Sequence, residues 1–477
     1  MIPNLFKGSE KIPASVWKDK VVLVWGLGIS GLSAVKLLHH LGAQIHVVDQ
    51  GEAKQWKFFS QLSSYVPENH CWSQEFLLMQ VPHSLWEKVD LVIIAPGIPH
   101  THSLLSSYLA QGKSVWSEIE LAYHFVEQPL VAVTGTNGKT TVVTLMGEIF
   151  KRSHMIPFVG GNIGTPFCDF ALRCLKNEAL EKICLLEVSS FQLETTHLFR
   201  PHVAIITNLE QNHEERYACF DDYCQAKFRL ALRMQPEDIL IYPIDETPSS
   251  QKIQQWVSTL KISGRGIATE TIEDRLKKVL DLSPFQLKGK HNLQNLMFAY
   301  QVSQFFHVDP WAVQETVMSF SGVPHRLEYV PSSAPWKIYN DAKSTNKYAT
   351  ETAIKSFCAQ DGYLALIIGG QVRDAKQLEE SCWEELFDKV DKIFLIGESS
   401  VLLDMMFKQK NINQDRWEKF YALEDLFDQL KNGTNQIPLG GILLFSPGFP
   451  SFDQYQNYQH RGNSFKKLVN LLYPYKG

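Results

Sequence analysis

The stretch "VAVTGTNGKTTVVTLMGEIF", residues 131–150, decides how this chain is to be read. Val131 to Val133 form a short apolar run of strand type and Gly135 to Thr140 a glycine-rich turn. Val142, Leu145, Met146 and Ile149 then recur at the spacing of one helix face. A strand, a tight loop and a helix start together make an anion site, because free backbone N–H groups and the helix dipole face the same point. Lys139 adds a point charge and Thr140 a hydroxyl of the kind that holds Mg²⁺. Gly135, Thr136, Asn137, Gly138, Lys139, Thr140 and Thr141 are therefore expected to cradle the phosphates of a nucleoside triphosphate. The loop is shorter than the common G-x-x-x-x-G-K-[ST] pattern, since Val133 stands where the first glycine would be.

Outward from this loop, apolar strand-like runs alternate with helical periodicity in three successive blocks, which implies mainly parallel sheets. The first block has strands at 21–26, 44–49 and 89–99, with Ala34, Leu37, Leu38 and Leu41 on one helix face between the first two. The second runs from the phosphate loop through strands at 182–188 and 202–208 to helical stretches around 220–234 and 287–306. The third, opening near Gly322, has strands at 336–341, 363–370, 390–397 and 441–448. Residues 54–88 are rich in Trp and Phe, poorly periodic, and carry no assignable chemistry. The expected fold is α/β with three doubly wound domains: Rossmann-like over 1–125, P-loop-type over 126–321 and Rossmann-like over 322–477. A length of 477 residues is too great for one core and suits this division.

Composition sets the outer limits. The chain is 44% hydrophobic and 20% charged with a formal net charge of -5, which argues for a globular protein and against nucleic acid or a membrane surface as its main partner. No leader-like start and no run of 18 apolar residues stands out, which points to the cytoplasm. The cysteines form no C-x-x-C pair, so free thiols are expected.

A second glycine turn, Gly26-Leu-Gly28-Ile-Ser-Gly31, lies between the first strand and its helix and is followed by Asp49 at a strand end. Alone, this is a dinucleotide fingerprint with Asp49 on a ribose. A redox enzyme would have no use for a second phosphate site, however, so a nucleotide-linked substrate in one block and ATP in the next fit better. Glu187 ends an apolar strand at the same sheet edge as the phosphate loop and is a natural Mg²⁺ ligand. His213 follows the next strand. Asn292 and Asn295 share a helix start and suit an adenine or ribose edge, though Asn there is also an ordinary cap. Arg326 is a candidate clamp on phosphate oxygens. Asp341, Lys343 and Thr345 follow one strand directly, where doubly wound sheets bind ligands.

The motifs "GLGISGLS", "GTNGKTT", "GGNIGTP", "EVSSFQLE", "NHEERY", "AKFR", "KGKHNLQN", "PHRLE", "NDAKSTN" and "SFDQYQNYQHRGNSF" run the whole length. With them the chain resembles the Mur ligase family, and the first and last of these motifs resemble its D-glutamate-adding branch. The resemblance implies ATP-dependent joining of D-glutamate to UDP-N-acetylmuramoyl-L-alanine through an acyl phosphate, by a monomeric cytoplasmic enzyme using one or two Mg²⁺ ions. It implies that the first domain holds the UDP part of the substrate rather than NAD, with Ser30, Asp49 and Gly97 around it and Asn162, Ser189 and Gln192 positioning substrate. Lys139, Thr140, Glu187, His213 and Arg326 would serve ATP and metal, and Lys227 would be carbamylated to orient Mg²⁺. Asn292, Asn295 and Asp341 would hold adenosine and the γ-phosphate. Lys343, Thr345, Ser451, Phe452 and Tyr458 would take D-glutamate. Two departures stand out: Asn212 replaces the usual Asp before His213, and Arg373 stands where a Lys commonly holds the glutamate side chain.

Overall fold

The structure, a computed structural model, describes residues 11–73, 83–210, 213, 216–260, 263–268, 271–287, 289–357, 362–372, 389–433 and 437–475. Three sheets follow one another along the chain. The first has β1 (Val21–Trp25), β2 (Gln44–Asp49), β3 (Cys71–Ser73), β4 (Leu91–Ile94) and β5 (Ser114–Ser117) in the order β3-β2-β1-β4-β5. The second has β6 (Leu130–Thr134), β7 (Pro157–Gly161), β8 (Ile183–Glu187), β9 (Val203–Ile206), β10 (Ile239–Ile244) and β11 (Ser263–Ala268) in the order β11-β10-β9-β6-β8-β7. Every pairing in both is parallel. The third has β12 (Glu328–Tyr329), β13 (Lys337–Asn340), β14 (Leu364–Gly369), β15 (Lys392–Ile396), β16 (Trp417–Lys419) and β17 (Ile442–Phe445). Its order is β12-β13-β17-β14-β15-β16, with only β12 antiparallel.

Apolar strands buried on both faces explain the parallel sheets: the residues of β4, β6, β8, β9, β14 and β17 are buried throughout. Strand order reverses beside β1 and beside β6, the kind of point at which loops leaving neighbouring strands part and parallel sheets bind ligands. Each glycine turn sits at such a point: Gly26 follows β1, and Gly135 follows β6.

Several strands lay outside the sequence reading. "SVWS" of β5 begins and ends on serine yet is buried at every position, and "PFVGG" of β7 opens on proline and closes on two glycines. Their flanking Ser, Pro and Gly residues are poor strand formers, and tertiary burial overrides them. Within 54–88, Trp56, Leu62 and Val66 enter the core and Cys71–Ser73 add an edge strand beside β2.

Contacts gather the chain into two compact units, Met1–Leu280 with Gln294–Thr316, and Asp281–Leu293 with Val317–Gly477. The first two sheets share the first unit, stapled by two buried carboxylates on the helix Glu118–Tyr123. Glu120 accepts the N–H groups of His197, Leu198 and Phe199 at 2.8, 2.7 and 3.0 Å. Glu118 accepts that of Cys168, and burial pushes its carboxyl up to about 7. Among the described residues no helix is long and apolar enough to cross a membrane.

Candidate active site

The phosphate loop is built from β6, the turn and the helix Lys139–Arg152, whose apolar face is buried at Val142, Leu145, Met146 and Ile149. Glycine is required twice. Gly138 precedes the helix in the left-handed region (φ 84°), and Gly135 (φ 143°) lies so close to Thr207 that no Cβ would fit. The loop after β9 braces the turn. Thr207 Oγ1 donates to Asn137 O at 2.5 Å, Asn208 Oδ1 accepts the Asn137 N–H at 2.9 Å, and Asn137 Nδ2 donates to Glu210 at 2.8 Å.

Two lysine side chains converge on the loop. Lys139 Nζ donates to the carbonyls of Gly135 and Thr136 at 2.8 and 2.9 Å, and Lys227 Nζ donates to Gly135 O at 2.8 Å. Lys227 is 2% exposed, on the helix Phe220–Phe228, with the Tyr223 ring 4.5 Å below its nitrogen. Burial, and secondly the Lys139 charge, push its pKa well below the ordinary lysine value. A carboxylate faces them at the end of β8: Glu187 is buried and accepts from Thr140 Oγ1 at 2.6 Å and from Asn162 Nδ2 at 3.0 Å. His213 (φ 59°) packs against Phe191, ring centroids 4.8 Å apart, and lies 6.1 Å from the Tyr223 ring, whose hydroxyl meets Thr136 Oγ1 at 3.0 Å. Asn295, on the helix Lys290–Phe305, sets its Oδ1 2.6 Å from where a Cβ on Gly138 would lie; Asn292 is buried one turn earlier.

At the first turn Asp49 serves the main chain. Its carboxylate accepts the N–H groups of Leu27 and Gln50, both at 2.7 Å. Ser30 lies in the first turn of the helix Ile29–His40, and Gly97 is exposed in the turn after β4. Ser189 and Gln192 form a reciprocal capping box at the start of the helix Ser190–Leu193, with Gln192 buried.

The second unit carries its own cluster at the ends of β13 and β17. Asp341 accepts from Ser344 Oγ at 2.5 Å, Ser446 Oγ at 2.7 Å and the Leu327 N–H at 3.1 Å; burial raises its pKa to about 6 against these bonds. Arg326 follows His325, which is in the left-handed region, and its buried Nε has no hydrogen-bond partner among the described residues. Lys343 lies with its nitrogen 5.6 Å from the Tyr458 ring centre, Tyr458 opens the last helix, and Thr345 is half-buried nearby in the chain. Ser451 is buried and Phe452 is 56% exposed. Arg373 and Asn212 lie outside the described residues.

Comparison with known proteins decides the family. Residues 133–303 match the Mur ligase middle domain, and residues 20–117 match the Mur ligase MurD-like N-terminal domain. The UDP-N-acetylmuramoylalanine--D-glutamate ligase of Caldicellulosiruptor saccharolyticus is 31% identical over 468 residues, covering 95% of this chain and 99% of that protein. The chain belongs to the Mur ligase family. The protein of the same name from Clostridioides difficile is 31% identical over 470 residues, covering 95% and 99%. Among solved structures, the MurF ligase of Thermotoga maritima in complex with ADP shares the fold at a TM-score of 0.52 and 14% identity, covering 99% of this chain and 100% of that one. The three-sheet α/β architecture is thus that of a Mur ligase.

Within this Mur ligase, sequence reasoning passed over residues that hold the site together. Thr207, Asn208 and Tyr223 brace the phosphate loop from neighbouring elements. Arg461, 1% exposed, donates to the carbonyls of Ala342 at 3.1 Å and Phe449 at 2.9 Å, joining the loops after β13 and β17. Its place in "QHRGN", with apolar Phe465 and Val469 following on the same helix, was the available signal.

Proposed function

We propose that this chain is an ADP-forming ligase that joins D-glutamate to UDP-N-acetylmuramoyl-L-alanine in peptidoglycan precursor synthesis. The D-glutamate part is supported by end-to-end similarity to proteins of that name. The phosphoryl-transfer part is carried by one observation: the side-chain nitrogens of Lys139 and Lys227 meet at Gly135 O beside the Thr140–Glu187 pair.

A carboxylate is a poor acyl donor, so the substrate's L-alanine carboxylate first attacks the γ-phosphate of ATP, giving ADP and an acyl phosphate. Lys139 and the N–H groups at the helix start stabilise the phosphate oxygens, with Arg326 assigned to the same charge. The D-glutamate amine then attacks the acyl carbon, and phosphate leaves as the amide forms. Lys343, Thr345, Arg373, Ser451, Phe452 and Tyr458 are assigned to D-glutamate, and Ser30, Asp49, Gly97, Asn162, Ser189 and Gln192 to the UDP-linked substrate.

The donor set fits Mg²⁺. Thr140 and Glu187 offer a hydroxyl and a carboxylate, and His213 lies beside the Tyr223 edge of the loop. Bound there, the ion would neutralise charge on the phosphate oxygens. Among the described residues no three His, Cys, Asp or Glu side chains converge on such a point. A carbamate on Lys227 would add the missing carboxylate, and the depressed pKa favours the neutral amine, the form that reacts with CO₂. Domains 1–125, 126–321 and 322–477 then divide UDP substrate, ATP and amino acid between them. Action as a cytoplasmic monomer belongs to the same reading.

The test is phosphate release from ATP and Mg²⁺ with UDP-N-acetylmuramoyl-L-alanine, comparing D-glutamate, L-glutamate, D-alanine, L-lysine and meso-diaminopimelate. Release that requires both the muramoyl substrate and D-glutamate is expected; release with another amino acid instead would move the chain to another branch of the family.

A further inference from the structure

We propose that Arg216 is a positioning residue that ties the loop of His213 to the turn of Gly97, and so fixes the two ends of the UDP-linked substrate relative to each other. This rests on the functional reading above, which places Gly97 at the uridine diphosphate and His213 near the reacting phosphate.

The tie is a continuous set of contacts across the first two sheets. Arg216 Nε and Nη2 donate to the two oxygens of Glu194, at 3.2 and 2.5 Å. The same Nη2 donates to Ile98 O at 3.1 Å, in the turn next to Gly97, where the Ile98 N–H closes on Ala95 O at 2.9 Å. From the other side of that turn, His100 Nδ1 meets Glu194 at 2.8 Å. The guanidinium lies 4.7 Å from the Phe191 ring centre, and that ring in turn packs on His213. The main chain completes the link, for the N–H groups of Arg216 and Tyr217 both donate to His213 O, at 2.9 and 3.1 Å.

Burial makes the arrangement specific. The Glu194 side chain is 2% exposed and that of Arg216 9%. Burial alone would push the Glu194 carboxyl upward, but the His100 and Arg216 bonds outweigh it and hold the carboxyl below its usual range. Glu194 follows directly on the helix Ser190–Leu193, whose capping box Ser189 and Gln192 are themselves assigned to substrate. One planar fork therefore engages the first sheet's turn, the helix after Glu187 and the histidine loop. Lysine places a compact ammonium on a flexible stem and lacks the planar fork that here pairs with both carboxylate oxygens while reaching the Ile98 carbonyl.

The experiment compares wild type with Arg216→Lys and with the double variant Arg216→Met/Glu194→Gln, which leaves no uncompensated charge buried. Direct titration of UDP-N-acetylmuramoyl-L-alanine and of Mg-ADP is set beside steady-state kinetics. For Arg216→Lys, kcat/KM for the muramoyl substrate should fall at least tenfold, with its Kd raised and the ADP Kd unchanged within twofold. The double variant should lose more on the muramoyl side and still bind ADP. Wild-type kcat and KM in Arg216→Lys overturn the proposal, as does loss of ADP affinity in parallel, which marks a general structural role. If wild type itself binds no UDP-N-acetylmuramoyl-L-alanine, the functional reading fails and takes the proposal with it; if wild type binds and Arg216→Lys binds equally well, only the proposal falls.

Discussion

The two glycine turns, after β1 and after β6, look alike in sequence and are built for different work. At Gly26–Gly31 the nearest carboxylate, Asp49, is turned onto main-chain N–H groups, and Gly31 leaves space for the Gly26 carbonyl. At Gly135–Thr140 two lysines and the Thr140–Glu187 pair crowd the loop. Glycine spacing thus encodes a tight turn, while charge from neighbouring strands and helices decides what the turn does. In the proposed function, that distinction assigns phosphoryl chemistry to the turn beside β6 and substrate binding to the first turn.

The largest effect should break the comparison at its charged side. Replacing Lys139 by Ala is expected to lower turnover by about 10²- to 10³-fold, the loss of one preorganised charge at a reacting centre, with the melting temperature retained. Phosphate release measures it, and near-normal turnover would remove the charge argument.

Lys227 separates function from stability. Lys227→Met is expected to cost turnover about 10- to 100-fold, since an oriented metal site is lost, yet to stabilise the uncarbamylated fold. The sign follows from the depressed pKa. Because the folded pKa lies below the unfolded one, the unfolded chain binds more protons in the range between them, so folding carries a deprotonation cost that shrinks as pH rises to the ordinary lysine value. Thermal melts in bicarbonate-free buffer should show Met above wild type at pH 7 and the gap narrowing toward pH 10. A gap independent of pH would mean that Lys227 is charged in the fold.

The sharpest contrast on the uncharged side is Gly31→Ala. The added Cβ would overlap the Gly26 carbonyl, so backbone must move, at a cost of about 1–3 kcal/mol. Urea unfolding reads this, and the kinetics of well-folded molecules should change little.

Why one turn was legible and its supports were not follows from sequence distance. The phosphate loop, its lysine and its threonine lie within one contiguous stretch, so local pattern reveals them. The bond from Arg216 to Ile98 spans 118 residues, and that from Ser446 to Asp341 spans 105. Topology alone brings these together. Lys227 in "YCQAKFRL" has the pattern of a solvated helix lysine; only its burial against Gly135 distinguishes it, and family resemblance supplied that where spacing did not. Among strands, "ICLLE" and "LALIIG" declare themselves by apolar runs, whereas "SVWS" and "PFVGG" owe their extended form to the sheet around them.

Gly28→Ala gives the smallest effect on stability and the most direct view of the first turn. Gly28 caps the helix Ile29–His40 with φ at -76°, a conformation open to any residue, and a Cβ there would meet nothing within 4 Å. Replacing a glycine cap by alanine disfavours the helix start by up to about 1 kcal/mol. Restricting the unfolded chain returns about 0.4–1 kcal/mol. The net change should therefore stay within about 0.5 kcal/mol of zero. In turns of this type the middle glycine lets the main chain approach a pyrophosphate, whereas the third serves helix packing. The expected pattern is thus the reverse of Gly31→Ala: an unaltered urea midpoint and a several-fold higher KM for the muramoyl substrate. A lowered midpoint with unchanged KM would make the whole first turn a folding device and move the UDP contacts to the Gly97 side of the crevice.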